Sequence, residues 1–126
     1  MSQINSLRDL IVYQKAYKLA MEIFEISKLF PKEERFALTD QIRRSSRSVT
    51  GAIAEAWAKK KYPKAFVYKL TDSLGEEFET EQWLDYSRDC KYISLGTHNR
   101  LMTEYDEVRR MLISMINNPE KFCSLQ

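Results

Sequence analysis

The stretch LMTEYDEVRRMLISM, residues 101–115, repeats its apolar side chains every seven residues. The members of the repeat follow one another at steps of four, three, four and three, and they are Leu101, Tyr105, Val108, Leu112 and Met115. This spacing places them on one face of an α-helix and is typical of a helix that packs into an antiparallel bundle. It predicts a helix over about 97–117, which Asn118 and Pro119 end.

Three earlier segments also carry apolar stripes of helical spacing, and they predict helices over about 7–30, 34–60 and 64–92. Pro31 ends the first, Pro63 stands in the opening turn of the third, and Gly96 separates the third from the fourth. The side chains of the third helix that we expect to face inward are Phe66, Leu70, Leu74, Phe78 and Leu84. Short connections between four helices predict an all-α fold, an antiparallel up-down-up-down four-helix bundle.

The composition agrees with a single helical domain over residues 1–126. Only three glycines and three prolines occur, which is too few for the frequent turns of an all-β fold. No apolar run approaches the roughly 20 residues of a membrane span, and the N-terminus does not resemble a signal peptide. We therefore expect a cytoplasmic protein with no membrane contact, in which Cys90 and Cys123 are free thiols.

Charge is segregated along the chain although the net charge is only +2. Residues 43–64 carry seven basic side chains against one acid, Glu55, whereas residues 72–89 carry seven acidic side chains against one base, Arg88. Basic and acidic helices of this kind can pair within one chain, pair between copies, or leave a basic surface for a polyanion. The first two alternatives concern architecture and the third concerns function.

A stripe of polar and small residues follows one face of the second helix with the spacing of a seven-residue repeat. It is a candidate subunit contact together with two glutamates of the third helix, and the full set is Gln41, Arg44, Ser48, Gly51, Glu55, Glu76 and Glu79. An arginine buried there would need a carboxylate partner, so we expect Arg43 or Arg44 to pair with Glu76 or Glu79 within or between chains. Plain solvation of the stripe is the alternative.

Lysines crowd the connection between the second and third helices, next to Tyr62. The candidate nucleic-acid-binding residues are these lysines and the arginines of the second helix: Arg43, Arg44, Arg47, Lys59, Lys60, Lys61 and Lys64. Such side chains can contact phosphates without identifying bases, and a nearby aromatic ring can stack. A solvated lysine-rich turn is the alternative.

Residues that would point to an enzyme are scarce. His98 is the single histidine, and we expect it to be an exposed surface residue without a catalytic partner. The Glu-x-x-His pattern of di-metal bundles is absent, and Cys90 is expected to be a small buried side chain. These features predict a non-enzymatic protein with no catalytic residues, no metal and no cofactor.

Several segments resemble a family of bacterial four-helix bundle proteins, some of which are encoded within intervening sequences of 23S rRNA genes. The segments are residues 10–16 (LIVYQKA), 30–34 (FPKEE), 38–45 (LTDQIRRS), 53–55 (IAE), 79–85 (ETEQWLD) and 115–122 (MINNPEKF). Accessory proteins of diversity-generating retroelements are similar as well. The resemblance covers nearly the whole chain.

This resemblance implies a four-helix bundle, a ring-shaped homo-oligomer that is expected to be a pentamer, possible binding of structured RNA or DNA through a basic surface, and no enzymatic activity. Ala52 and Ala56 depart from the family pattern, which has asparagine and glycine there. A ligand or helix contact that uses the asparagine would be lost or altered in this chain. The alternative function is a protein-interaction or assembly module with no nucleic-acid ligand.

Overall fold

The computed structural model describes residues 4–123, so the first three and last three residues of the predicted domain lie outside the described range. Four α-helices make up most of this range: α1 (Ile11–Ser27), α2 (Leu38–Ala58), α3 (Pro63–Asp89) and α4 (Leu95–Asn117). Short 3-10 turns at Leu7–Asp9, Lys32–Glu34 and Pro119–Lys121 flank them, and residues 4–123 contain no strand. The predicted all-α class is confirmed.

Each helix packs against the next one in the sequence, and α1 also packs against α4, so the four helices surround one shared core. The most extensive of these contacts joins α2 to α3. This arrangement is that of a four-helix bundle. The alternating up-down direction of the helices stays a prediction.

The seven-residue repeat of α4 forms the centre of the core, as its spacing predicted. Leu101, Tyr105, Val108 and Leu112 have no exposed surface, and Met115 is 4% exposed. Burial of these side chains in the shared core stabilises the bundle by roughly 1.5–3 kcal/mol for each large apolar residue.

The face of α3 that enters the core differs from the predicted one. Phe66, Leu70 and Leu84 are buried as expected, but Phe78 is 52% exposed. The buried positions again follow steps of four and three, and they are Phe66, Leu70, Ser73, Glu77, Thr80, Leu84 and Ser87. Because four of these seven are polar, a search for apolar side chains alone selects Phe78 in error.

Small hydroxyl side chains let α2 and α3 approach closely. The Ser73 hydroxyl donates a hydrogen bond to the Val49 carbonyl at 2.8 Å, and the Thr80 and Ser45 hydroxyl oxygens lie 2.9 Å apart. Gly51 does not enter this contact: it is exposed at the outer edge of the α2–α3 contact, where a Cβ atom would meet nothing within 4 Å. The middle of α2 therefore packs against α3 through its serines and alanines. Gly51 takes no part in this packing and is accessible to a contact from another molecule.

The helix ends differ from the predicted ones by a few residues, and the junction of α3 and α4 shows why. The α3 helix ends at Asp89, because Lys91 adopts a left-handed conformation with φ of 65° and the Tyr92 amide donates to the Ser87 carbonyl. Gly96 does not break the chain. It lies in the first turn of α4, which Ser94 caps by accepting a hydrogen bond from the Thr97 amide.

Candidate subunit-contact and nucleic-acid surfaces

An open groove of about 540 Å³ runs between α2 and α3 on the outer face of the bundle. Five of the seven predicted contact residues line it, namely Ser48, Gly51, Glu55, Glu76 and Glu79. Gly75 also lines it and, like Gly51, has free space where a Cβ atom would stand. The structure therefore brings most of the predicted contact set together on one surface with a low, glycine-lined floor.

The groove is acidic. Glu55, Asp72, Glu76 and Glu79 line it, and Lys69 pairs with two of them, 3.7 Å from Glu55 and 3.8 Å from Asp72. Partial burial raises the pKa of Glu76 above its ordinary value, and the charges of Glu79 and Asp72 raise it further. A cation that entered the groove would relieve this repulsion.

Gln41 and Arg44 lie beyond the acidic groove on α2. Gln41 lines a second, more apolar groove of about 360 Å³, together with Ala37, Trp83 and Tyr86. The Arg44 side chain is exposed and forms no ion pair or hydrogen bond within residues 4–123. The predicted pairing of Arg43 or Arg44 with Glu76 or Glu79 is absent from this part of the chain, which leaves the pairing between copies as a prediction.

Arg43 turns towards α1 instead of α3. Its Nε atom donates to Ser27 Oγ at 2.8 Å, and its guanidinium carbon lies 4.8 Å from the centre of the Phe24 ring. Arg47 stacks on the same ring at 5.6 Å and is exposed. Of the three predicted arginines, Arg43 is thus held by contacts within the chain, whereas Arg44 and Arg47 present their charge to solvent.

The lysine-rich connection between α2 and α3 is open to solvent. Lys59, Lys61 and Lys64 are exposed and have no carboxylate partner within the described residues. Lys60 lies 3.6 Å above the Trp57 ring, and Tyr62 is 66% exposed. The four lysines therefore form a compact cationic end of the bundle, which we call the lysine turn (residues 59–64).

The burial of His98 and that of Cys90 both differ from the predicted burial. His98 is buried, not exposed, and its Nε2 atom lies 2.8 Å from Asp85 Oδ1. Cys90, expected to be buried, is exposed, because it follows the last residue of α3. No group of three or more His, Cys, Asp and Glu side chains within residues 4–123 is arranged to hold a metal ion.

Glu77 is a fully buried acidic residue, which the sequence analysis did not assign to the core. It has no exposed surface, and its two carboxyl oxygens have no hydrogen-bond partner within the described residues. Burial raises the pKa of Glu77 well above its ordinary value, and the neighbouring Glu81 raises it further, whereas the charge of Arg109 partly opposes this shift. Its spacing from Leu70 and Leu84, seven residues on either side, is the signal that could have identified it.

Within the described residues, no helix combines the length and the apolar character that crossing a bilayer requires. No curated protein matches the sequence. A crystal structure from Bacteroides thetaiotaomicron, of a protein with unknown function from the S23 ribosomal protein family, is similar to the chain. The two are 30% identical, the match covers 85% of this chain and 96% of that one, and the TM-score is 0.77.

The family model of the 23S rRNA-intervening sequence protein matches residues 8–114, which include all four helices except the last three residues of α4. The match agrees with the resemblance that the sequence motifs indicated, whereas the similarity to retroelement accessory proteins stays a prediction. Both comparisons thus extend over most of the chain, and the residues matched by the family model include both candidate surfaces. The chain therefore belongs to the 23S rRNA-intervening sequence protein family.

Proposed function

We propose that this protein is a non-enzymatic, homo-oligomeric bundle that binds structured RNA or DNA through cationic surfaces at its ends. The observation that carries the proposal is the lysine turn, where Lys59, Lys61 and Lys64 are exposed without a carboxylate partner in the described residues. Unpaired cations that lie close together attract a polyanion, since binding releases the counterions condensed on its phosphates. Membership of the 23S rRNA-intervening sequence protein family makes structured RNA the first ligand to test.

The distribution of acids supports a binding mode at the ends of the bundle. The groove between α2 and α3 carries Glu55, Asp72, Glu76 and Glu79, and this side of the bundle repels phosphates. The lysine turn follows the end of α2, whereas Arg44 and Arg47 lie towards the middle of the helix. Contacts from such side chains to phosphates give affinity without base identity, so we expect weak sequence preference.

The test is an equilibrium binding titration with a structured RNA at several salt concentrations. We expect log K to fall linearly with log salt concentration, and the double variant Lys59→Ala/Lys61→Ala to reduce that slope by about two. The control is Lys18→Ala, compared with Lys59→Ala alone, because it removes the same charge from an exposed lysine of α1 and should leave the slope unchanged. Affinity that does not depend on salt would exclude a phosphate-dominated mode.

A second candidate function, assembly without a nucleic-acid ligand, is favoured by the acidic groove. Gly51 and Gly75 leave its floor open, so a helix or an arginine of a second copy can approach closely. Arg44, which has no partner within residues 4–123, supplies the complementary charge. By the family resemblance, the expected assembly is a ring of five copies, which a heterologous contact of this kind can close.

Light scattering of the nuclease-treated protein gives its absolute mass, and the ratio of absorbance at 260 and 280 nm before treatment reports copurified nucleic acid. A mass near five times 14.9 kDa together with a raised ratio supports both functions. An oligomer without bound nucleic acid favours assembly alone. A monomer would remove the assembly proposal.

A further inference from the structure

The connection between α1 and α2, residues 28–37, carries the two most exposed large apolar side chains of residues 4–123. Leu29 and Phe36 are each 85% exposed, and no other large apolar side chain in residues 4–123 exceeds 68%. A phenyl ring in water is unfavourable unless a partner covers it. Phe36 makes little contact with the rest of the chain, so the fold does not explain its position.

One cation lies over this ring, and a second is close to it in the sequence. The Arg35 guanidinium carbon lies 5.1 Å from the centre of the Phe36 ring, and Lys32 precedes it by four residues. Residues 28–47 contain six basic side chains against three acidic ones, Glu33, Glu34 and Asp40. Glu34 is already engaged, since it accepts hydrogen bonds from the Tyr92 hydroxyl and the Leu38 amide. The segment therefore has a net positive charge around an exposed aromatic face.

The half-buried ring of Phe24, in the last turn of α1, also has cations stacked on it. Lys28, Arg43 and Arg47 lie over Phe24 at 4.8, 4.8 and 5.6 Å from its centre. Within the described residues, four of the five contacts between a cation and an aromatic ring thus occur at this end of the bundle. Cations interleaved with aromatic faces match a ligand that itself alternates negative charge with planar rings, which is the chemistry of a nucleic-acid strand with unpaired bases.

We propose that the α1–α2 connection is a base-stacking surface, on which an unpaired nucleotide stacks against Phe36 while Lys32 and Arg35 contact its flanking phosphates. This inference rests on the proposed nucleic-acid function and adds to it a preference for single-stranded segments. The lysine turn follows the other end of α2, a helix of 21 residues and hence roughly 30 Å long. The bundle then contacts phosphates at one end and unpaired bases at the other.

Three substitutions of Phe36 separate stacking from other uses of an exposed apolar side chain. Phe36→Tyr keeps an aromatic face, Phe36→Leu keeps apolar surface without one, and Phe36→Ala removes both. Because Phe36 is 85% exposed, none of the three should affect folding. Tyr17→Ala is the matched control, since Tyr17 is a 54% exposed aromatic residue and no cation is stacked on it within residues 4–123.

The probes are an oligoadenylate of about 12 nucleotides and an RNA duplex of the same length, titrated at one fixed low salt concentration. We expect Phe36→Ala and Phe36→Leu to weaken binding of the oligoadenylate at least about fivefold and to leave duplex binding unchanged. Phe36→Tyr and Tyr17→Ala should bind both probes as the unmodified protein does.

The outcomes distinguish this inference from the proposed function on which it rests. If Lys59→Ala/Lys61→Ala weakens both probes but Phe36→Ala and Phe36→Leu weaken neither, the stacking surface is wrong and the proposed function stands. If Phe36→Leu binds like the unmodified protein while Phe36→Ala does not, Phe36 is an apolar anchor and stacking is excluded. If Phe36→Ala instead lowers the mass of the oligomer, the α1–α2 connection is a contact between copies. If the unmodified protein binds neither probe, both proposals are wrong.

Discussion

The Nε2 atom of His98, in the first turn of α4, lies 2.8 Å from Oδ1 of Asp85, in the last turn of α3. The His98 side chain is only 7% exposed, whereas that of Asp85 is 47% exposed. The half-exposed carboxylate of α3 thus pairs with a buried ring of α4 and links the two helices next to their connection.

We expect Asp85→Ala to lower the free energy of unfolding by about 1–2 kcal/mol, because a buried ring nitrogen loses its hydrogen-bond partner. Urea denaturation at pH 7, followed by circular dichroism, measures the change. Glu25→Ala is the control, since Glu25 forms an exposed ion pair with Lys28 and should matter little. Equal effects of the two variants would show that the contact with His98 does not stabilise the fold.

The buried carboxyl of Glu77 predicts a specific pH dependence. Its pKa in the folded protein is raised above the ordinary value of 4.5, so the folded state keeps a proton that the unfolded state loses. The contribution of Glu77 to stability is therefore greatest below about pH 4.5 and falls as the pH rises towards the raised pKa.

Glu77→Gln removes this titration. We expect its free energy of unfolding, relative to that of the unmodified protein, to increase by about 1–3 kcal/mol between pH 5 and pH 7. Urea denaturation of both proteins at intervals across this range measures the difference. A difference that stays constant with pH would mean that Glu77 has an ordinary pKa in the folded protein.

Replacing either glycine of the α2–α3 groove by alanine should stabilise the single chain but weaken an assembly that uses the groove. Gly51 and Gly75 lie inside helices with nothing within 4 Å of a built Cβ atom, so Gly51→Ala and Gly75→Ala should each stabilise the isolated chain by about 0.5–1 kcal/mol. If a second copy packs closely on the groove, the added methyl groups should weaken association. Urea denaturation and sedimentation velocity measure the two effects separately.

Charge reversal tests whether Arg44 of one copy enters the acidic groove of the next. Arg44→Glu and Glu76→Arg should each shift the mass measured by light scattering towards that of a monomer, and the double variant should recover part of the assembly. Lys18→Glu, an exposed lysine of α1, serves as the control for net charge. An oligomer that persists in both single variants would contradict this contact.

The left-handed residue at the end of α3 offers a stabilising substitution. Lys91 has a φ of 65°, a conformation that glycine adopts without the crowding that a Cβ atom introduces. We expect Lys91→Gly to raise the free energy of unfolding by about 1 kcal/mol in a urea titration. Lys61→Gly, at another exposed lysine in a turn, should not have this effect, because Lys91 is the only residue other than glycine with a positive φ within residues 4–123.

Part of the candidate surface could be predicted from the sequence. The polar stripe of α2 has the spacing of a helix face, and helical geometry alone places Ser48, Gly51 and Glu55 on one line beside the acidic face of α3. The partner of each charge could not be predicted in this way. Arg43 and Arg44 are adjacent and chemically identical, yet the first is bound to Ser27 and Phe24 of α1 and the second is exposed.

The sequence by itself determined the four helices and the core face of α4, because a repeat of apolar side chains with period 3.5 must be buried wherever the helix packs. Only the tertiary structure decided which face of α3 enters the core, since Ser73, Glu77 and Thr80 are buried through contacts with α2 and α4 that local hydrophobicity does not encode. The same holds for His98, whose burial depends on Asp85. The free-energy cost of burying a polar side chain depends on the partners available to it in the core, and only the packing of the helices brings those partners together.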